Sequence, residues 1–246
     1  SQDLIDTSLI LRLQGVNGLF VNRLGQICAT LTDLQTRFGT NELMARTRMQ
    51  AALSTTVAHR IMAWKAPLER LSKSFQAVQS TLNMVQFGGP IGSLTSLSPN
   101  GPQVRHLLAK RLGLNDPEGA WHTDRGRLLD YTFWLSSLAN ALGKLGQDIM
   151  LMTQDERAEI VLVGAGGSSA MKHKKNPVKA EILLTLARFV TTLQSGMQQA
   201  SVHEQERSGS SWTLEWMVLP QLCIATGTAL MTAQNLLNSI QSLGES

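Results

Sequence analysis

Apolar residues recur at three- and four-residue steps through most of this chain, the spacing of an amphipathic helix. Ile5, Leu9, Leu13, Val16, Phe20, Leu24, Ile27, Leu31 and Leu34 mark one stripe. A helix carrying it runs about 30 residues, roughly 45 Å. A second stripe, Val57, Ile61, Trp64, Leu68, Leu71, Phe75, Val78 and Leu82, predicts a helix from about Ser54 to Gln86, kinked at Pro67. Further helices are predicted near 103–112, 125–152, 178–200 and 219–243. The seven prolines leave 1–66, 118–176 and 178–219 uninterrupted. The segment from Phe87 to Pro102 reads as loop, and Ile160 to Val163 is the best strand candidate, without a clear partner. There is no repeat and no low-complexity tract. The pattern predicts an all-α bundle of long helices whose stripes are core.

Composition narrows the function classes. The 246 residues suffice for a sizeable core. Charged residues are 16% of the chain, against an average near 25%, which suggests further surface buried in an oligomer. The net charge of +4 is mild for this length and does not by itself imply nucleic acid. No apolar run approaches the roughly 20 residues of a membrane span. Cys28 and Cys223 lie far apart without metal-type spacing, so a reduced cytoplasmic setting is the simplest expectation. No metal or cofactor is expected.

The chemistry concentrates in Gly167-Ser168-Ser169-Ala170-Met171-Lys172-His173-Lys174-Lys175-Asn176-Pro177. Gly164, Gly166 and Gly167 give a mobile entry with free backbone N–H groups, and Pro177 suits the first position of a helix. Hydroxyls, cations and N–H donors converging there suit a small, multiply negative ligand. The basic run lacks interleaved aromatics for nucleic acid. The Gly-x-Gly near Ile160 lacks the strand–helix alternation of a dinucleotide site.

This loop resembles the G-S-S-x-M-P-x-K-x-N-P loop of the fumarase/aspartase superfamily, with Lys172 where proline is usual. Ser1-Gln2-Asp3-Leu4-Ile5-Asp6-Thr7 resembles its first conserved region, and Arg46-Thr47-Arg48-Met49-Gln50 its second, with Arg48 where many members carry histidine. Gln86 to Leu94, Trp121 to Arg125, Glu204 to Ser208 and Trp212 to Trp216 resemble further motifs of the branch of cycloisomerases that act on carboxylated muconates.

The resemblance implies the central helical-bundle domain of a longer protein, residues 1–246, without an N-terminal segment and a C-terminal domain. It implies a homotetramer with composite active sites, and a cofactor-independent cycloisomerase interconverting 3-carboxy-cis,cis-muconate and its lactone. Other superfamily lyases, such as adenylosuccinate lyases, and a crystallin-like scaffold are the alternatives. By resemblance Ser168, Lys174, Asn176 and Glu181 are catalytic candidates. Ser1, Gln2, Thr47, Arg48, Gln50, Ser169, Met171 and Arg125 are substrate-binding candidates. Arg48 would clamp a carboxylate. For Arg125 and Arg207, substrate binding and ion pairing are both open. Glu181 can equally ion-pair, and His122 and His203 read as structural histidines.

Overall fold

The computed structural model describes residues 1–164, 166–167, 171 and 175–245. Among them six long helices dominate: α1 Gln2–Phe38, α2 Val57–Leu82, α3 Gly101–Leu112, α4 Gly126–Met152, α5 Val178–Ala200 and α6 Ser210–Leu237. The all-α bundle architecture is therefore present. Three small antiparallel ribbons interrupt it: β1 Glu42–Thr47 with β2 Gln50–Thr56, β3 Ile160–Leu162 with β6 Ile240–Leu243, and β4 Gly166–Gly167 with β5 Lys175–Asn176.

The buried face of α1 differs from the apolar stripe read in its sequence. Residues Gln2, Asp6, Ile10, Leu13, Asn17, Phe20, Leu24, Ile27, Leu31 and Leu34 are buried, an alternating four- and three-step pattern. Ile5 is 38% exposed, and Leu9 and Val16 are half-buried. Four polar residues of this helix, Gln2, Asp6, Thr7 and Asn17, are buried because each has partners: Asn17, for instance, accepts a 2.6 Å hydrogen bond from the Tyr131 hydroxyl. In α2 the predicted stripe is largely the buried one, and the helix continues through Pro67.

The last helix begins at Ser210, not near 219, so Pro220 lies inside it. Its start is set by Ser208, whose Oγ accepts the Ser211 N–H at 3.2 Å, the role of a capping hydroxyl. It ends at Leu237, and residues 240–243, expected to be helical, instead pair with β3. That ribbon supplies the partner Ile160–Val163 lacked.

The chain forms two compact units. The first comprises 1–21, 73–135 and 192–223. Its core includes Ile10, Phe20, Trp121, Tyr131 and Leu222, and the Phe75 ring packs tilted against Trp134 with centroids 4.5 Å apart and planes at 46°. The second comprises 22–72, 136–191 and 224–246 and carries all three ribbons. There Trp64 is fully buried and donates to Asp148 Oδ2 at 2.7 Å. Helices α4 and α5 approach closely at Gly143, where an added Cβ would lie 2.5 Å from Ala187 Cβ.

Large apolar side chains remain exposed on α1, α4 and α6, among them Leu4 (71%), Phe133 (64%), Met217 (62%) and Ile224 (69%). By length and composition α1 and α6 are also apolar enough to cross a membrane, a property shared with the core helices of globular proteins.

Candidate active site

In the first unit, Arg125 stands at the start of α4 with its side chain 1% exposed. Its Nε and Nη2 donate to Glu215 at 2.9 and 2.6 Å. Its Nη1 and Nη2 donate to Asp6 at 2.8 and 3.2 Å. Asp6 also accepts from Gln2, Gln86 and Trp212 at 3.2, 3.2 and 3.3 Å. Gln86 Oε1 accepts the Trp121 N–H at 2.9 Å, and the Trp121 ring lies 5.0 Å from the guanidinium carbon of Arg125.

Two carboxylates facing one guanidinium leave an excess negative charge in a dry environment. Burial accordingly pushes the Glu215 carboxyl above its ordinary value, although Arg125 pulls the other way. Burial alone would weaken the Arg125 charge, but its hydrogen bonds to Glu215 and Asp6 outweigh that and it holds its proton more tightly than a free arginine.

A second chain of contacts runs beside this one. Asp3 Oδ1 lies 2.5 Å from His122 Nε2, and Asp3 Oδ2 accepts the Gly89 N–H at 2.9 Å. Arg207 donates to the Gly89 carbonyl at 2.6 Å, and Gln2 to the His122 carbonyl at 2.9 Å. An added Cβ at Gly88 would lie 2.4 Å from Ala120 Cβ, so the turn can pass here only as glycine. Above these contacts lies a groove of about 600 Å³ lined by Ser1, Asp3, Thr7, Gln86, Phe87 and Leu108, among others. Ser1 is exposed at its edge, while Gln2 is 2% exposed and committed to Asp6 and His122. Arg125 is likewise committed to its two acids.

In the second unit, β1 and β2 form a hairpin whose turn is Thr47-Arg48-Met49-Gln50, with Thr47 paired to Gln50. Arg48 and Met49 both adopt left-handed backbone, φ 48° and 70°. Two central residues with positive φ match the twist of a tight hairpin, a geometry usually given to Asn-Gly. Here neither residue is glycine, so the turn stores strain of the kind functional sites retain. All four side chains are exposed. This ribbon was not foreseen: only Leu43 in β1 is buried, so no alternating apolar pattern announces it.

The loop candidates Ser168, Ser169 and Lys174 lie outside the described residues. Around them, Gly166 and Gly167 pair with Asn176 and Lys175, and Met171 is 44% exposed. Asn176, half-buried, lines a cavity of about 280 Å³ with Gly164, Gly166, Pro177, Val178 and Ser239. Pro177 opens α5 and its carbonyl accepts the N–H groups of Ala180 and Glu181. Glu181 sits exposed in the first turn, the helix end that favours a carboxylate. Among the described residues no group of three or more His, Cys, Asp or Glu side chains is placed to hold a metal ion.

A profile of the lyase family matches residues 1–191. The chain belongs to the lyase family. Among family relatives, it is 35% identical over 244 residues to the 3-carboxy-cis,cis-muconate cycloisomerase of Pseudomonas aeruginosa, covering 98% of this chain and 53% of that protein. It is 33% identical to the Acinetobacter baylyi enzyme of the same name, over 98% and 54%. Among solved structures, the 3-carboxy-cis,cis-muconate lactonizing enzyme from Pseudomonas putida superposes with a TM-score of 0.92 at 34% identity, covering 98% of this chain and 54% of that one. A fumarate lyase from Mesorhizobium sp. BNC1 gives 0.91 at 27% identity, over 99% and 55%. The chain spans about half the length of the curated relatives it matches.

Within this lyase-family chain, Ser1, Gln2 and Arg125 belong to the first unit, and Thr47, Arg48, Gln50, Met171, Asn176 and Glu181 to the second. Asp3, Asp6, Gln86 and Glu215 stand inside recognisable motifs without a role legible there, His122 reads as a structural histidine, and Arg207 is open between substrate binding and ion pairing. The structure joins them into one hydrogen-bonded assembly in the first unit. The available signal was the polar residues Gln2, Asp6 and Asn17 at four- and three-residue steps with the apolar stripe of α1.

Proposed function

We propose that the protein containing this chain is a cycloisomerase that interconverts 3-carboxy-cis,cis-muconate and carboxymuconolactone without a cofactor, in the cytoplasm and as a homotetramer. The observation that carries the reading is the strained, exposed turn presenting Arg48 and Gln50, on a chain 35% identical to a cycloisomerase of that name across 98% of its length.

In the lactone-opening direction a base removes the proton α to a carboxylate. The electron pair forms the carbon–carbon double bond, and the ring C–O bond breaks to release a carboxylate. Negative charge builds on the α-carboxylate before that bond breaks, and fixed donors aimed there lower the barrier. Ser168 is the proposed proton-transfer group, with Lys174 stabilising its alkoxide, Asn176 orienting a substrate carboxylate and Glu181 beside them in the first turn of α5. Arg48 clamps a substrate carboxylate bidentately. Gln50, Thr47, Ser1 and Ser169 supply further donors, while Met171 contributes an apolar wall. Gln2 and Arg125 act from beneath, holding the Ser1 edge of the groove. Ring closure runs the same steps in reverse and needs no external leaving group. The exposed apolar faces of α1 and α6 support burial against other copies.

The test is turnover by the full-length protein, followed as loss of the conjugated diene's ultraviolet absorbance. Sedimentation should report about four chains per particle. Ser168→Ala should lower kcat by roughly 10²-fold or more while the tetramer persists. No consumption of 3-carboxy-cis,cis-muconate by a folded tetramer would sink the assignment.

A further inference from the structure

The turn Thr47–Gln50 carries strain and projects into solvent, so something must hold it. At its base the hairpin is tied by backbone: Glu42 N–H donates to the Glu245 carbonyl at 2.9 Å, and Glu245 N–H to the Glu42 carbonyl at 3.1 Å. Leu43, 4% exposed, adds an apolar anchor. Beyond that point the pairing shifts register between Met44 and Arg46. Such a bulge bends the strand and re-aims the following side chain. Arg46 uses it to reach Glu159, its Nη1 donating to Oε1 at 2.5 Å, with side chains 24% and 10% exposed. A second, weaker bond from Nη1 goes to the Met44 carbonyl at 3.2 Å. Among the described residues this ion pair is the one hydrogen-bonded tie between residues 44–54 and anything outside the hairpin.

Glu159 is itself well fixed. Its N–H donates to the Met152 carbonyl at 3.0 Å, and its carbonyl accepts the Gly244 N–H at 2.8 Å. It follows Ala158, held at φ 46°, and leads directly into β3. Residues Glu159, Gly244, Glu245 and Glu42 are thus joined by backbone hydrogen bonds, and Arg46 closes the circuit two residues before Arg48.

We infer that Glu159 is a positioning residue for the substrate-clamping turn, acting through Arg46, an inference that rests on the reaction assigned above. A turn held in its binding geometry loses little freedom when a carboxylate docks on Arg48, whereas an untethered one must be ordered by the substrate. That cost falls on binding in ground and transition states alike, so it enters KM and not kcat.

Glu159→Gln keeps the shape and one acceptor while removing the charge, and Glu159→Ala removes both. In full-length protein, Glu159→Ala should raise KM for 3-carboxy-cis,cis-muconate about tenfold with kcat within about twofold, and Glu159→Gln should fall between it and the parent. Hydrogen exchange, which needs no substrate, should show faster exchange at 46–51 with α2 and α5 unchanged. Unchanged KM and unchanged exchange at 46–51 in both variants would overturn the inference. So would protection lost evenly across α2 and α5, which marks general destabilisation. If the parent protein does not turn over the muconate, the reaction assignment falls, and localised exchange alone decides whether Glu159 holds the turn.

Discussion

Arg125 and Glu215, ninety residues apart in sequence, meet through two hydrogen bonds of 2.9 and 2.6 Å with both side chains 1% exposed. Asp6 completes the set from α1. A guanidinium so placed cannot turn to greet a substrate without abandoning a buried carboxylate. Its function is to lock the start of α4 to α1 and α6 within the first unit. The groove edged by Ser1 is shaped by this lock, because Asp3, Thr7 and Gln86 line it and are tied to the same assembly.

Removing one partner of such a pair strands the other. Glu215→Ala should cost about 2–4 kcal/mol in chemical denaturation, from two lost charge-assisted bonds and a cavity. Glu215→Gln keeps one acceptor and should cost less than half as much. A loss below about 0.5 kcal/mol for the alanine variant would show that the pair contributes little.

The burial of the Glu215 carboxyl, with Asp6 adding a smaller push, also sets a pH dependence. Folding raises the Glu215 pKa above its ordinary 4.5, so the folded chain favours the protonated form. The stability this contributes is fully present below that ordinary value and is lost as pH rises through the raised folded value. Glutamine fixes the neutral form. The stability of Glu215→Gln relative to the parent should therefore improve as pH rises above the ordinary carboxyl value. The opposite slope would mean that attraction to Arg125 outweighs burial.

Close helix packing makes a separate, local prediction. A methyl group at Gly143 would meet Ala187 Cβ at 2.5 Å, and one at Gly146 would meet the Ala180 carbonyl at 2.8 Å. Helix propensity alone favours alanine by about 1 kcal/mol. Overpacking opposes it by about 1–3 kcal/mol. Gly143→Ala should thus lower the melting temperature despite its better propensity, whereas Gly25→Ala, with nothing within 4 Å, should raise it or leave it unchanged. Equal effects at the two sites would refute the packing argument.

The hairpin turn predicts a stabilising change. Met49 sits at φ 70°, where an L side chain costs roughly 1–2 kcal/mol and glycine little. Met49→Gly should stabilise the second unit by up to about 1 kcal/mol after the glycine's unfolded-state entropy is counted. Thermal unfolding of the two proteins side by side would check it.

The helices were legible because burial and hydrophobicity coincide along most of their length, as in α2. Where they part, the reading slipped. In α1 the buried face includes Gln2, Asp6 and Asn17, and the apolar Ile5, Leu9 and Val16 drew the stripe onto a neighbouring face. The hairpin was invisible because strands β1 and β2 are almost wholly solvated, and Arg48-Met49 is not a turn dipeptide by composition. The apolar pattern places the last helix from about 219, yet the capping hydroxyl of Ser208 starts it nine residues earlier, at Ser210. In the site, Asp6, Arg125 and Glu215 stood in recognisable motifs, but no local pattern says that residues more than two hundred positions apart share one ion-pair network.

Two arginines give the sharpest contrast between binding and scaffold. Arg48 is exposed on a strained turn with its guanidinium available, and Arg125 is buried with two acids. If Arg48 clamps a substrate carboxylate as proposed, Arg48→Ala removes a contact made equally in ground and transition states. It should raise KM, by about 1–3 kcal/mol of binding, with kcat and melting temperature little changed. Arg48→Lys should recover only part of that loss, since an ammonium cannot make the two-pronged contact. Arg125→Lys should do the reverse. An ammonium in that pocket cannot satisfy four hydrogen bonds to two carboxylates, so stability should fall by about 3–5 kcal/mol, and whatever activity survives should show a near-normal KM. If Arg125→Lys instead folds normally and raises KM, the guanidinium contacts substrate in the assembled enzyme. The scaffold role would then be wrong.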